Sequence, residues 1–152
     1  MQTGSTVRAG VSSAGDQSLI SGVFLTGFSR DGRYVVFSSA AANLVAGDTN
    51  STSDIFVHDL QTGTTTRVSV DSAGTEGNSK SVEGYISADG RYVVFSSAAS
   101  NLVVGDTNGI GDLFVHDMQT GTTTRSSLGS TGNQIAGNII GFSISSNNII
   151  ET

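Results

Sequence analysis

The chain has 152 residues, of which 36% are hydrophobic and 13% charged, and it contains no cysteine, proline or tryptophan. Its formal charge of −6 disfavours nucleic acid as a partner, and zero cysteine removes disulfide scaffolds, thiolate zinc sites and cysteine nucleophiles. No apolar run approaches the roughly 20 residues that span a bilayer, and the opening MQTGSTVRAGVSSAG lacks the basic and apolar regions of a signal peptide.

The chain is a repeat. Residues 31 to 67 and 89 to 125 align at an offset of 58 and differ only at positions 42, 46, 51, 52, 53, 55 and 60. Residues 2 to 8, QTGSTVR, match 61 to 67 and 119 to 125, and GFSISSNNII (141 to 150) is a decayed form of GYISADGRYV (84 to 93). This divides the chain into 1–24, the last strand of one unit and a linker; 25–82 and 83–138, two full units; and 139–152, the start of a further one. Such a run also reads as a slice of a larger propeller.

In chain order, each unit predicts four strands. Strand A covers 25 to 29, or 84 to 87. The pairs Asp31-Gly32 and Asp89-Gly90 then signal a hairpin. Strand B follows at 33 to 38, or 91 to 96. A loop of about a dozen residues carries GDTN and leads into strand C at 55 to 59, or 113 to 117. The turn QTG supplies Gly63 or Gly121 for positive φ, and the Thr-rich strand D runs over 64 to 70, or 122 to 128. A stray D strand is expected over 3 to 11. The run YVVF in strand B has no polar alternation, so both of its faces must be covered. An antiparallel four-stranded meander buried on both sides and repeated in tandem is a β-propeller blade, and the fold class is all-β.

Those residues also carry a family resemblance. The segment S-x-DGRYVVFSS (29 to 39 and 87 to 97), with D-[LM]-QTG-x-T-x-R in the C-to-D hairpin, resembles the repeat of TolB-like propellers and of the propeller domain of dipeptidyl peptidases and prolyl oligopeptidases. Those peptidases carry their catalytic serine on a separate α/β-hydrolase domain, which has no counterpart in this sequence. The GDTN loop is similar to a calcium-binding subgroup of such repeats in secreted bacterial proteins, which implies a secreted or cell-surface parent.

The residues that point to chemistry are Asp48, Asn50, Thr52 and Asp54, repeated as Asp106, Asn108, Ile110 and Asp112. Oxygen-bearing side chains at alternate positions of a loop suit Ca2+, which takes six to eight hard ligands. Ile110 offers only its carbonyl. The repeats vary between these positions and keep the three oxygen side chains, so one Ca2+ per loop is expected. His58 and His116, each followed by Asp, recur at one place in both units and read as scaffold. Ser38, Ser39, Ser96 and Ser97 read as sheet-edge residues, and Arg33 and Arg91 as partners of nearby carboxylates. Phe28, Tyr85 and Phe142 are set on strand A, where core packing is favoured over a ligand-binding mouth. There is no G-x-S-x-G elbow and no unique Ser-His-Asp set. The function read from this is a non-enzymatic, calcium-binding scaffold with an unidentified extracellular ligand and no nucleic-acid or membrane partner. The alternative is a propeller hydrolase or lyase, or a fragment with no independent function. Because 152 residues hold 2.6 repeats and closed propellers have four to eight blades, two chains are expected to close a six-bladed ring head to tail, or three a nine-bladed one.

Overall fold

A computed structural model of the chain describes residues 4–20 and 22–135, together with the backbone of 142–144 and 149–151. The strands are β1 (Phe24–Phe28), β2 (Tyr34–Ser39), β3 (Asp54–Asp59), β4 (Thr65–Arg67), β5 (Ser81–Ile86), β6 (Tyr92–Ser97), β7 (Asp112–Asp117), β8 (Thr123–Arg125), β9 (Phe142–Ile144) and β10 (Ile149–Glu151). Two four-stranded sheets form, in the orders β1-β2-β3-β4 and β5-β6-β7-β8, every neighbour pair antiparallel. A third sheet begins with the hairpin β9-β10. No helix occurs among the described residues.

The registers repeat residue for residue. Tyr34 faces Asp59 and Ser39 faces Asp54 across β2 and β3; Tyr92 faces Asp117 and Ser97 faces Asp112 across β6 and β7. Strands β2 and β6 lie inside their sheets, and the apolar residues of YVVF send side chains to both faces. Val36, Ile55, Val57 and Val68 of the first sheet form one core with Ile86, Val93, Phe95, Ala99, Leu102 and Phe114 of the second. Phe37, Ala41, Leu44 and Phe56 lie in a separate cluster. The sheets are therefore stacked face to face as blades, and burial of these side chains stabilises the junction by about 1.5–3 kcal/mol for each large one. At its edge the ring of Tyr34 covers Gly90, where a Cβ would stand 2.6 Å from Tyr34 Cδ2 and φ is +77°. Only glycine meets both demands.

The Asp-Gly hairpins form, but through four-residue connections. The Ser29 N–H donates to the Tyr34 carbonyl (3.0 Å), and Asp31 Oδ1 accepts from Ser29 Oγ (2.5 Å) and Arg33 N (3.0 Å). Strand D is shorter than 64 to 70. After Arg67 the hydroxyl of Ser69 takes over the ladder, accepting from the Ile55 N–H at 3.1 Å, and Ser127 does the same for Leu113. The stray D strand over 3 to 11 is not a strand among its described residues. Val11 makes only an isolated bridge to Gln17, as Val70 does to Glu76 and Leu128 to Gln134. Ser39 and Ser97 are buried in central strands rather than at a sheet edge, and Ser39 Oγ accepts from the Ala41 N–H (3.2 Å).

The aromatic residues of strand A differ in burial. Phe28 stands opposite Val35 and Ile86 opposite Val93, so Phe28 and Ile86 hold the same place in the two blades, as the offset of 58 requires. Phe28 is exposed, whereas Tyr85 packs beside Val94 and Leu113. The Phe142 side chain lies outside the described residues.

Candidate metal centre

The loop from β2 to β3 and the connector from β4 to β5 meet beside the start of β3. Asn50 organises the loop: its Oδ1 accepts from the Thr52 N–H at 2.9 Å, with Ser51 at φ 57° between them. Its Nδ2 donates to Asp54 Oδ2 (2.9 Å) and to the Gly77 carbonyl (3.0 Å). Asn50 thus turns its amide nitrogen, not its oxygen, toward Asp54, while Thr52 contributes its backbone N–H to the turn. Asp54 opens β3 fully buried, and its Oδ1 accepts from Ser69 Oγ at 2.5 Å. The Asp48 side chain is 2% exposed, and its Oδ2 is buried with no hydrogen-bond partner.

The sequence reading missed two members. Glu76, on the connector, accepts from the Thr49 N–H (3.0 Å) and the Thr49 hydroxyl. One carboxylate oxygen from each of Asp48, Asp54 and Glu76 lies within 4.8 Å of the other two. Calcium–oxygen distances of about 2.3–2.6 Å put opposite ligands about 5 Å apart, so this spread fits Ca2+. The second missed member is Arg67. Its Nη1 is 2.8 Å from Glu76 Oε2 and 3.6 Å from both Asp48 Oδ1 and Asp54 Oδ2, and its Nη2 donates to the Gly47 carbonyl (3.2 Å). Burial, reinforced by the charge on Asp54, raises the pKa of Asp48; burial also raises that of Asp54 against the hydrogen bonds of Ser69 and Asn50. The hydrogen bonds of Thr49, followed by the Arg67 charge, lower that of Glu76. Three carboxylates against one guanidinium leave a charge of −2.

The second loop repeats the frame with one change. Asn108 Nδ2 donates to Asp112 Oδ2 (2.9 Å) and the Ile135 carbonyl (3.3 Å), its Oδ1 accepts from the Ile110 N–H (3.2 Å), and Ser127 Oγ donates to Asp112 Oδ1 (2.6 Å). Arg125 Nη1 stands 3.3 Å from Asp106 and 3.7 Å from Asp112. Where the first loop has Glu76, this one has Gln134, which donates to the Gly105 carbonyl at 2.7 Å and accepts from Thr107 Oγ1 at 3.1 Å. Nε of both Arg67 and Arg125 is buried without a hydrogen-bond partner, and Arg125 alone has Nη1 so as well. Two carboxylates against one guanidinium leave −1. The repeat of Arg67 as Arg125 was the available signal for the arginines. Glu76 lies past the near-identical stretch, and its counterpart differs.

The titratable residues at the other end of the sheets, Arg33, Asp59 and His58 with their counterparts Arg91, Asp117 and His116, have structural partners. Arg33 holds Asp59 in a two-pronged contact (3.0 and 2.6 Å), and Arg91 holds Asp117, which keeps both carboxyls far below the ordinary range. His58 Nδ1 is 2.8 Å from Thr65 Oγ1, whose hydroxyl donates to the Val11 carbonyl. With that proton committed, the imidazole must be the donor, so Nδ1 carries its hydrogen. His116, Thr123 and Val70 repeat the relay. Neither histidine contacts the carboxylate of the Asp that follows it, since Arg33 and Arg91 engage those groups.

The face-to-face four-stranded meanders make the chain a member of the propeller class of all-β folds. In three dimensions it is similar to the putative TolB from Agrobacterium tumefaciens, at 18% identity and a TM-score of 0.47 over 68% of this chain and 30% of that one. It is similar as well to TolB from Acinetobacter baumannii (19%, 0.44, 68% and 21%) and to the tricorn protease (20%, 0.43, 71% and 9%). These are β-propeller proteins, and the chain spans less than a third of the length of any of the three. No family model matches the chain, and no curated protein matches it in sequence.

Proposed function

We propose that the chain is a non-enzymatic propeller scaffold whose GDTN loops hold Ca2+. The observation that carries this reading is the buried carboxylate group at the start of β3. Asp54 is fully buried, Asp48 has an oxygen without a hydrogen-bond partner, and both have raised pKa values through burial. A divalent cation supplies the missing partner and favours the ionised forms. The polar groups elsewhere in the blades serve the frame: both histidines sit in hydroxyl relays, and Arg33 and Arg91 are engaged by Asp59 and Asp117.

A cation that binds only the folded chain stabilises it by mass action. With a dissociation constant on the order of 10⁻⁴–10⁻³ M, 10 mM Ca2+ adds about 1.4–2.7 kcal/mol, or roughly 3–10 °C in melting temperature. Thermal melts in Ca2+ and in chelator test this, with the double variant Asp54→Asn and Asp112→Asn expected to remove the difference. Equal melting of the unaltered chain in both conditions refutes the reading.

One observation favours a second reading. Arg67 Nη1 already lies 2.8 Å from Glu76 and 3.6 Å from both aspartates, so the guanidinium is itself a resident cation. On that reading the cluster is a metal-free ion-pair clasp, chelator has no effect, and Arg67→Gln alone lowers the melting temperature.

A further inference from the structure

We propose that only the first GDTN loop is a complete cation site, and that Glu76, from the connector to the next blade, is the ligand that completes it. The inference rests on the calcium reading above and departs from the two ions per chain that the repeat alone suggests. Three positions are equivalent by their bridges: Gln17 to Val11, Glu76 to Val70 and Gln134 to Leu128. Glu76 alone of the three carries a charge.

The difference reaches the chemistry of the site. Glu76 brings a third carboxylate oxygen to within 4.8 Å of those of Asp48 and Asp54, and Asp48 keeps a buried oxygen with no donor on it. At the second loop Gln134 turns its amide nitrogen to the Gly105 carbonyl, 3.5 Å from Asp106 Oδ1, so a donor stands where the first loop has an acceptor. Arg125 is the only cation among the groups described there, and two carboxylates oppose it. Ligand charge count is a main determinant of calcium affinity, and −2 against −1 separates the two loops.

The position of Glu76 also assigns the ion a mechanical role. Asp48 and Asp54 belong to the first blade, whereas Glu76 precedes β5, the first strand of the second. Next to it, the Gly77 carbonyl accepts from Asn50, and the Ser81 N–H at the start of β5 donates to the Ser53 carbonyl at 2.7 Å. An ion held by all three carboxylates ties the loop of one blade to the entry of the next, and so fixes the angle at which they stack.

Calorimetric titration with Ca2+ tests the inference on the intact chain and two variants. The unaltered chain is expected to bind one equivalent, Glu76→Gln to weaken it at least about tenfold, and Gln134→Glu to add a second equivalent of similar affinity. The Gln134→Glu gain cannot be produced by misfolding. Two equal equivalents that Glu76→Gln leaves unchanged would overturn the inference while the calcium reading stands. No binding by the unaltered chain at millimolar Ca2+ defeats that reading, and the inference with it.

Discussion

Gly84 of the second blade meets Ile55 of the first so closely that a Cβ on Gly84 would stand 2.7 Å from Ile55 Cγ2. The blades can approach this far only because β5 has no side chain there. Gly84→Ala is therefore expected to cost about 1–3 kcal/mol, the usual range for overpacking. The corresponding residue of the second blade is Leu113, and leucine has no Cγ2. Ile55→Leu should thus recover part of the loss in a double variant, as read by chemical denaturation. A neutral Gly84→Ala, or losses that simply add, would show that the close approach is not limiting.

Burial lowers the pKa of His58 and His116, against a smaller opposing effect from the neighbouring aspartates. The folded chain then holds fewer protons on these rings than the unfolded chain in mild acid. The stability they contribute is full above the unfolded value of about 6.5 and declines as pH falls toward the folded values, by at most about 1.4 kcal/mol per pH unit for each ring. Asparagine at 58 and 116 keeps a donor for Thr65 and Thr123 and does not titrate. Denaturation midpoints between pH 7 and pH 5 should fall for the unaltered chain and fall less for the double variant. Parallel curves would contradict the neutral-donor assignment.

The first blade presents a face that the second has covered. Phe28 is 57% exposed where its counterpart Ile86 is 6% exposed, and Phe24 and Leu25 beside it are exposed too. Val7, Val23 and Leu60 join Leu25 and Phe28 around one apolar cleft. Two chains docked head to tail, the six-bladed arrangement, would cover this face with a further blade. Light scattering is expected to give twice 15.5 kDa for the unaltered chain and the single mass for Phe28→Glu. A single mass for both at all concentrations removes the ring.

The blade was legible because DGRYVVFSS is apolar on both faces and recurs at a fixed offset, so one local pattern stated strand, stacking and repeat together. Strand D was overextended because Thr and Val favour extended chain after Arg67 as well as before it. Nothing local in the sequence reveals that the Ser69 hydroxyl replaces the ladder. The loop of the candidate site was legible through Asp48 and Asp54, whose spacing is short. Glu76 was not, because it reaches the loop only when the connector folds back past β4, 22 positions beyond Asp54. Arg67 could be read as a strand residue alone; its place among three carboxylates is tertiary.

The most direct test of the account is a crystal structure grown with Ca2+ and recorded with anomalous scattering. The account predicts an anomalous peak bonded to oxygens of Asp48, Asp54 and Glu76 at about 2.3–2.6 Å. Density for the Arg67 guanidinium in contact with all three carboxylates, with no peak at the loop in millimolar Ca2+, would contradict it.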